Sequence, residues 1–159
     1  MQAEKSQTNP IQILTAAYRT DSGPGGIGLV VRNAAPTAVG QVYEQSYGSI
    51  EELQFRAVLR ALQLGKKLRA NRICILCPDE SVVKQINREV PVAAEGTLPL
   101  LYMQIKALVY TYRQAEVIAV SKSKVRAARR LAVAASKIPV RRKAAPRTLF
   151  DLDQTAAKA

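Results

Sequence analysis

The chain has 159 residues, one domain by length, with 48% hydrophobic residues, enough to bury a core. It contains no His, which excludes His-based acid–base chemistry, Ser/Cys–His nucleophile pairs and His-ligated metals, and its two cysteines, Cys74 and Cys77, exclude a disulfide scaffold. Against 12 acidic residues stand 24 Lys and Arg, a net charge of +12 that points to a polyanionic partner.

In chain order, Ile11 to Thr15 (IQILT) reads as a short buried strand, and Asp21 to Gly28 (DSGPGGIG) as a loop that must turn. Ile27 to Arg32 is a second strand. A turn at Asn33 to Thr37 leads to a third, weakly alternating one over Val39 to Ser46. The period then changes. Leu53, Ala57, Leu59, Leu62, Leu64 and Leu68 recur at helical spacing, predicting a helix over Ile50 to Leu68. Arg72 to Cys77 (RICILC) is a near-continuous apolar run of the kind found in a buried central strand. Asp79 is a candidate N-cap for a helix over Glu80 to Arg88. A loop over Pro91 to Thr97, a helix over Leu98 to Arg113, a strand over Glu116 to Ser121 and a helix over Lys122 to Ser136 follow. The order βββαβααβα predicts a mixed α/β sheet flanked by helices. Residues 1–10 are expected to form a flexible N-terminus, 11–136 the domain and 137–159 a basic, flexible tail.

The charge is concentrated. Ser121 to Arg147 holds ten basic residues and no acid, whereas the rest of the chain carries fourteen basic and twelve acidic residues. The segment contains Lys122, Lys124, Arg126, Arg129, Arg130, Arg141, Arg142 and Lys143, which are the candidate nucleic-acid-binding residues. On a continuous helix Lys122, Arg126, Arg129 and Arg130 share one face. The apolar side of that helix is mostly Ala and has no aromatic anchor, so packing on the sheet is expected rather than a membrane surface. Cys74 and Cys77 fall on opposite faces of a strand and read as small buried residues. The Gly-rich segment is expected to serve packing rather than an anion nest, and Tyr18 and Tyr47 to serve packing rather than base stacking. Leu149, Phe150 and Leu152 form an apolar island after the basic tail, a possible docking motif for a protein partner. No apolar run approaches a membrane span, and MQAEKSQTNP has no signal-type stretch, so a cytoplasmic location is expected.

Gly23-Pro24-Gly25-Gly26-Ile27-Gly28, the small residues Ala57 and Ala61-Leu62, Val82-Val83-Lys84-Gln85-Ile86-Asn87, and Val120 with Ala128, Leu131 and Ala132 occur in the order and spacing of ribonuclease H motifs. The chain resembles that family over about Ile11 to Ser136, and most closely the short bacterial and plant branch without the His-containing loop. The resemblance implies a five-stranded mixed sheet, antiparallel in its first three strands, with helices on both faces. It also implies an active site of four carboxylates holding two Mg²⁺ ions.

Carried over position by position, those carboxylates are replaced. Ala16-Ala17-Tyr18 stands for the Asp-Gly-Ser of strand one, and Gln54 for the helix Glu. Pro78 stands for the Asp after strand four, with Asp79 next to it, and Arg129 for the last Asp. The positions Ala16, Gln54, Pro78, Asp79 and Arg129 thus predict a degenerate site without metal, and Arg129 is expected either to pair with Asp79 or to touch phosphate. Ser49-Ile50-Glu51 and Pro78-Asp79-Glu80 put acids where the family reads its hybrid with neutral groups.

The leading expectation is a non-catalytic ribonuclease H-like domain that binds structured or double-stranded RNA, or an RNA–DNA hybrid, mainly through phosphates. One alternative is a protein–protein scaffold subunit. Another is a divergent metal-dependent nuclease with carboxylates relocated among Asp21, Glu51, Asp79 and Glu80.

Overall fold

A computed structural model of the chain describes residues 10–21, 23–32 and 40–139. Three strands, β1 (Ile11–Arg19), β2 (Gly25–Arg32) and β3 (Gln41–Ser46), are followed by helix α1 (Ile50–Lys67), strand β4 (Arg72–Cys77) and helices α2 (Glu80–Ile86) and α3 (Leu98–Val109). Strand β5 (Gln114–Ala119), a 3₁₀ turn (Lys122–Val125) and helix α4 (Arg126–Ser136) complete the order. The sheet order is β3-β2-β1-β4-β5, antiparallel across the first three strands and parallel from β1 to β4 and β4 to β5. This is the expected fold class. Among the described residues no helix is long and apolar enough to cross a membrane.

The main core lies on one face of the sheet. There Ile13, Ile27, Leu29, Ile73 and Ile75 meet Leu53, Ala57, Ala61 and Leu62 of α1 and Leu101 and Ile105 of α3. Fully burying an Ile or Leu side chain contributes about 1.5–3 kcal/mol, so this face dominates stability. Alternation sends Leu14 and Ala16 to the opposite face, where they form a smaller cluster with Val125 and Ala128. The α1 helix starts with a capping box, in which Ser49 Oγ accepts from Glu52 N–H and the Glu52 carboxylate accepts from Ser49 N–H. The Thr97 hydroxyl also donates to Glu52 at 2.6 Å. That bond, ahead of the opposing effect of burial, holds the Glu52 pKa below its ordinary value.

The boundaries differ from expectation where pairing or packing overrides local pattern. Strand β1 continues to Arg19 because Ala16, Ala17, Tyr18 and Arg19 pair with Gly28, Ile27, Gly26 and Gly25. Half of the expected Gly-rich loop is therefore strand β2. Glycine is a weak strand former, but here the missing side chains are needed. A Cβ on Gly26 would lie 2.1 Å from the Ala132 carbonyl oxygen, and one on Gly28 2.1 Å from that of Ala128. The backbone of α4 rests on these two residues, which supports packing rather than anion binding.

Helix α3 ends at Val109, not Arg113. The Tyr112 side chain turns inward, its hydroxyl donates to the Leu62 carbonyl, and Arg113 N–H binds Asn71 O at 2.9 Å, leading the chain into β5. Helix α2 stops at Ile86, with Arg88 in a left-handed conformation (φ 61°). Strand β5 runs over Gln114–Ala119, two residues ahead of the expected span, set by its register of Arg72 against Gln114.

Candidate nucleic-acid interface

In open α/β sheets, ligands bind outside the carboxyl ends of strands where successive connections diverge. Here β1 leads to β2 on one side, and its parallel neighbour β4 leads towards β5 on the other. A cleft of about 580 Å³ opens at that point. Its floor and walls include Ala16, Ala17 and Tyr18 from the end of β1, Gln54 and Ile50 from the start of α1, Pro78 after β4, and Ser81 and Glu80 from α2. Arg19, Asp79, Lys122, Val125 and Arg129 complete it. Ala16, Gln54, Pro78, Asp79 and Arg129, the five positions singled out in the sequence, thus line one cleft.

Their surroundings explain what each can do. Ala16 is buried on the face covered by α4. Gln54 is 4% exposed, and its Oε1 accepts the Cys77 thiol at 3.7 Å. Burial pushes the Cys77 pKa up to about 11, which keeps the sulfur protonated and a donor at neutral pH. Cys74 is buried as well, and burial likewise raises its pKa. Asp79 caps α2 as expected, its Oδ1 accepting from Val82 N–H at 3.2 Å. Glu80 pairs with Lys84 at 3.3 Å. Arg129 is exposed at the rim and makes no ion pair with Asp79, so the pairing alternative is not adopted. Neither Arg19, Lys122 nor Arg129 makes a side-chain hydrogen bond or ion pair with another described residue.

The basic face is rearranged relative to expectation. Lys122 and Lys124 lie on the 3₁₀ turn, whose tighter winding takes them off the α-helical face of Arg126, Arg129 and Arg130. All five are exposed, but of these only Lys122 and Arg129 line the cleft. Arg141, Arg142 and Lys143, with Leu149, Phe150 and Leu152, lie outside the described residues. Of the relocated carboxylates considered, Asp79 and Glu80 line the cleft, whereas Asp21 and Glu51 do not, and the Glu51 carboxylate accepts from Gln85 Nε2. Among the described residues, no group of three or more His, Cys, Asp or Glu side chains is placed to hold a metal ion.

Arg19 is the principal residue missed by sequence reasoning. Its signal was the glycine pairing that extends β1, which becomes visible only with the sheet register. Tyr18, half-buried, lines the cleft, whereas Tyr47 is exposed outside it.

A family model described as reverse transcriptase-like matches residues 14–135. The chain belongs to that family. Membership agrees with the ribonuclease H-like fold and with solved structures of similar shape. The N-terminal RNase H domain of a Mycobacterium tuberculosis protein, solved as a fusion with maltose-binding protein, is 22% identical with a TM-score of 0.72, covering 81% of this chain and 100% of that one. RNase H1 from the archaeon Halobacterium salinarum is 14% identical with a TM-score of 0.71, covering 80% and 97%. LC11-RNase H1, isolated from compost by a metagenomic approach and solved in complex with an RNA/DNA hybrid, is 18% identical with a TM-score of 0.69, covering 79% and 96%. At these identities the likeness of this reverse transcriptase-like chain to each is one of fold. No curated protein matches it.

Proposed function

We propose that this domain binds double-stranded or structured RNA, or an RNA–DNA hybrid, through its phosphates and does not cut it. The observation that carries the reading is the composition of the cleft. Three cations without a partner among the described residues, Arg19, Lys122 and Arg129, share the cleft with two carboxylates, and those carboxylates are engaged in capping α2 and in pairing with Lys84. Ala16 and Gln54 supply no charge. This donor set does not suit the Mg²⁺ ions of ribonuclease H, because a guanidinium beside a dication repels it by several kcal/mol at an effective dielectric near ~20. The hybrid bound to LC11-RNase H1 supports this class of partner by analogy of fold. The basic tail, with Arg141, Arg142 and Lys143, is proposed to add phosphate contacts.

The reading is tested by a salt titration. If Arg19, Lys122, Arg126, Arg129 and Arg130 each neutralise one phosphate, log K falls with log salt with a slope of about −4.5, so affinity drops roughly 500-fold between about 50 and 200 mM salt. Anisotropy of labelled hybrid and duplex RNA should show at least that dependence. A response of less than about fivefold over the same range would overturn electrostatic binding.

A further inference from the structure

We infer that the cleft itself holds a backbone phosphodiester without a divalent cation, clamped by Arg19, Lys122 and Arg129 and met from below by the Gln54 carboxamide. This rests on the proposed nucleic-acid reading and deepens it by placing one phosphate where the ribonuclease H resemblance puts metal ions.

Two independent observations carry it. The first is the cation arrangement. Arg19 ends β1, Lys122 opens the 3₁₀ turn and Arg129 lies on α4, so three separate elements bring like charges to one concave space. Their mutual repulsion is relieved by an anion between them, and concave walls strengthen that field. The second is Gln54. It is 96% buried at the cleft, yet its amide nitrogen has no hydrogen-bond partner among the described residues. The carboxamide oxygen lies 3.7 Å from the Cys77 sulfur, which also reaches Asp79 O at 3.8 Å, and the N–H₂ end has no protein acceptor among the described residues. The amide nitrogen keeps accessible surface, since Arg56 Nε alone is a fully buried side-chain nitrogen or oxygen without a partner among the described residues, so it is open to a ligand, and a phosphate oxygen is a strong acceptor. Ala16 is neutral and small, so it adds no charge to the Asp79 and Glu80 carboxylates that line the cleft, which are engaged in capping α2 and in pairing with Lys84.

The test uses the full chain and a fluorescein-labelled RNA–DNA hybrid of about one helical turn, followed by anisotropy. Affinity in EDTA should match that in Mg²⁺ at equal ionic strength within about twofold; a gain above about fivefold with Mg²⁺ would overturn the metal-free clamp. Lys122→Ala combined with Arg129→Ala should weaken binding at least about tenfold and flatten the salt slope by about 1.8. Gln54→Leu should weaken binding with the slope unchanged, because no charge is lost. Gln54→Glu, similar in size, should weaken it further by repelling the phosphate, and unaltered affinity in this variant overturns the floor contact. Far-UV circular dichroism checks that each variant is folded. If Arg126→Ala with Arg130→Ala weakens binding while the cleft variants do not, the strand lies on the outer helix face: the clamp is wrong and the nucleic-acid reading stands. If the wild-type chain binds no hybrid and no duplex, the reading itself fails.

Discussion

Replacing Gly28 by Ala tests the seam that positions Arg129. A Cβ at Gly28 lies 2.1 Å from Ala128 O, 2.8 Å from Ala132 N and 2.8 Å from Leu131 Cβ. Ordinary contact begins near 3.4 Å. Helix α4 would therefore have to withdraw by roughly 1.3 Å, because backbone atoms have no alternative rotamer. Overpacking of this kind costs about 1–3 kcal/mol, and the upper half applies when both obstacles are main chain. The lower entropy of the unfolded Ala chain returns about 0.4–1 kcal/mol. The expected net loss is about 2 kcal/mol, on the order of 5–10 °C in Tm for a folded unit of this size. Thermal and urea unfolding followed by circular dichroism measure it. Gly40→Ala is the control: a Cβ there meets nothing within 4 Å among the described residues, so its stability should be unchanged or slightly raised. Withdrawal of α4 also carries Arg129 away from the cleft, so hybrid affinity should fall in parallel. A Gly28→Ala chain as stable as wild type would refute the claim that α4 lies backbone-to-backbone on β2.

Arg69 holds a left-handed conformation (φ 58°) just after α1, where only glycine is free of a side-chain penalty. Arg69→Gly should therefore raise stability by up to about 1 kcal/mol in urea unfolding, and a loss would contradict this. The Glu52 pKa is lowered in the folded state, so its contribution is present above the ordinary carboxylate value of 4.5 and is lost as pH falls through the lower folded value. Glu52→Gln should thus destabilise the chain at pH 7, and the Tm gap to wild type should close on acidification below that value, whereas a constant gap would refute the linkage. Cys74 and Cys77 are buried with raised pKa values, so a thiol reagent at pH 8 should label them at the rate of unfolding rather than of free thiols.

Much of the fold is written in local pattern. The apolar run RICILC marks β4 with its observed bounds, and the helical spacing from Leu53 onward marks α1 to within one residue. Asp79 is both the expected and the observed cap of α2. What local pattern does not carry is set by distant partners. Ala16 to Arg19 shows no alternation, and becomes strand only because Gly25 to Gly28 lies beside it. LYMQIKALVYTYR keeps a helical period past Val109, but Tyr112 is drawn to the Leu62 carbonyl and the helix yields. The site divides the same way. Aligned motifs bring Ala16, Gln54, Pro78, Asp79 and Arg129 to one cleft and the basic-face spacing sets Lys122 with Arg129, although Lys122 sits on a 3₁₀ turn, whereas Arg19 joins them through sheet register. The Arg129–Asp79 pairing had a charge rationale, yet Asp79 is committed to the α2 cap and Arg129 stays at the rim.

The central claim is that the fold of a hydrolase is used here to hold nucleic acid. The most direct measurement incubates the full chain with an end-labelled RNA–DNA hybrid at saturating protein, with anisotropy reporting occupancy, in EDTA, Mg²⁺ and Mn²⁺ separately. The account predicts full occupancy and an intact RNA strand under all three conditions. Metal-dependent cleavage of the bound strand that disappears on Asp79→Asn would contradict it.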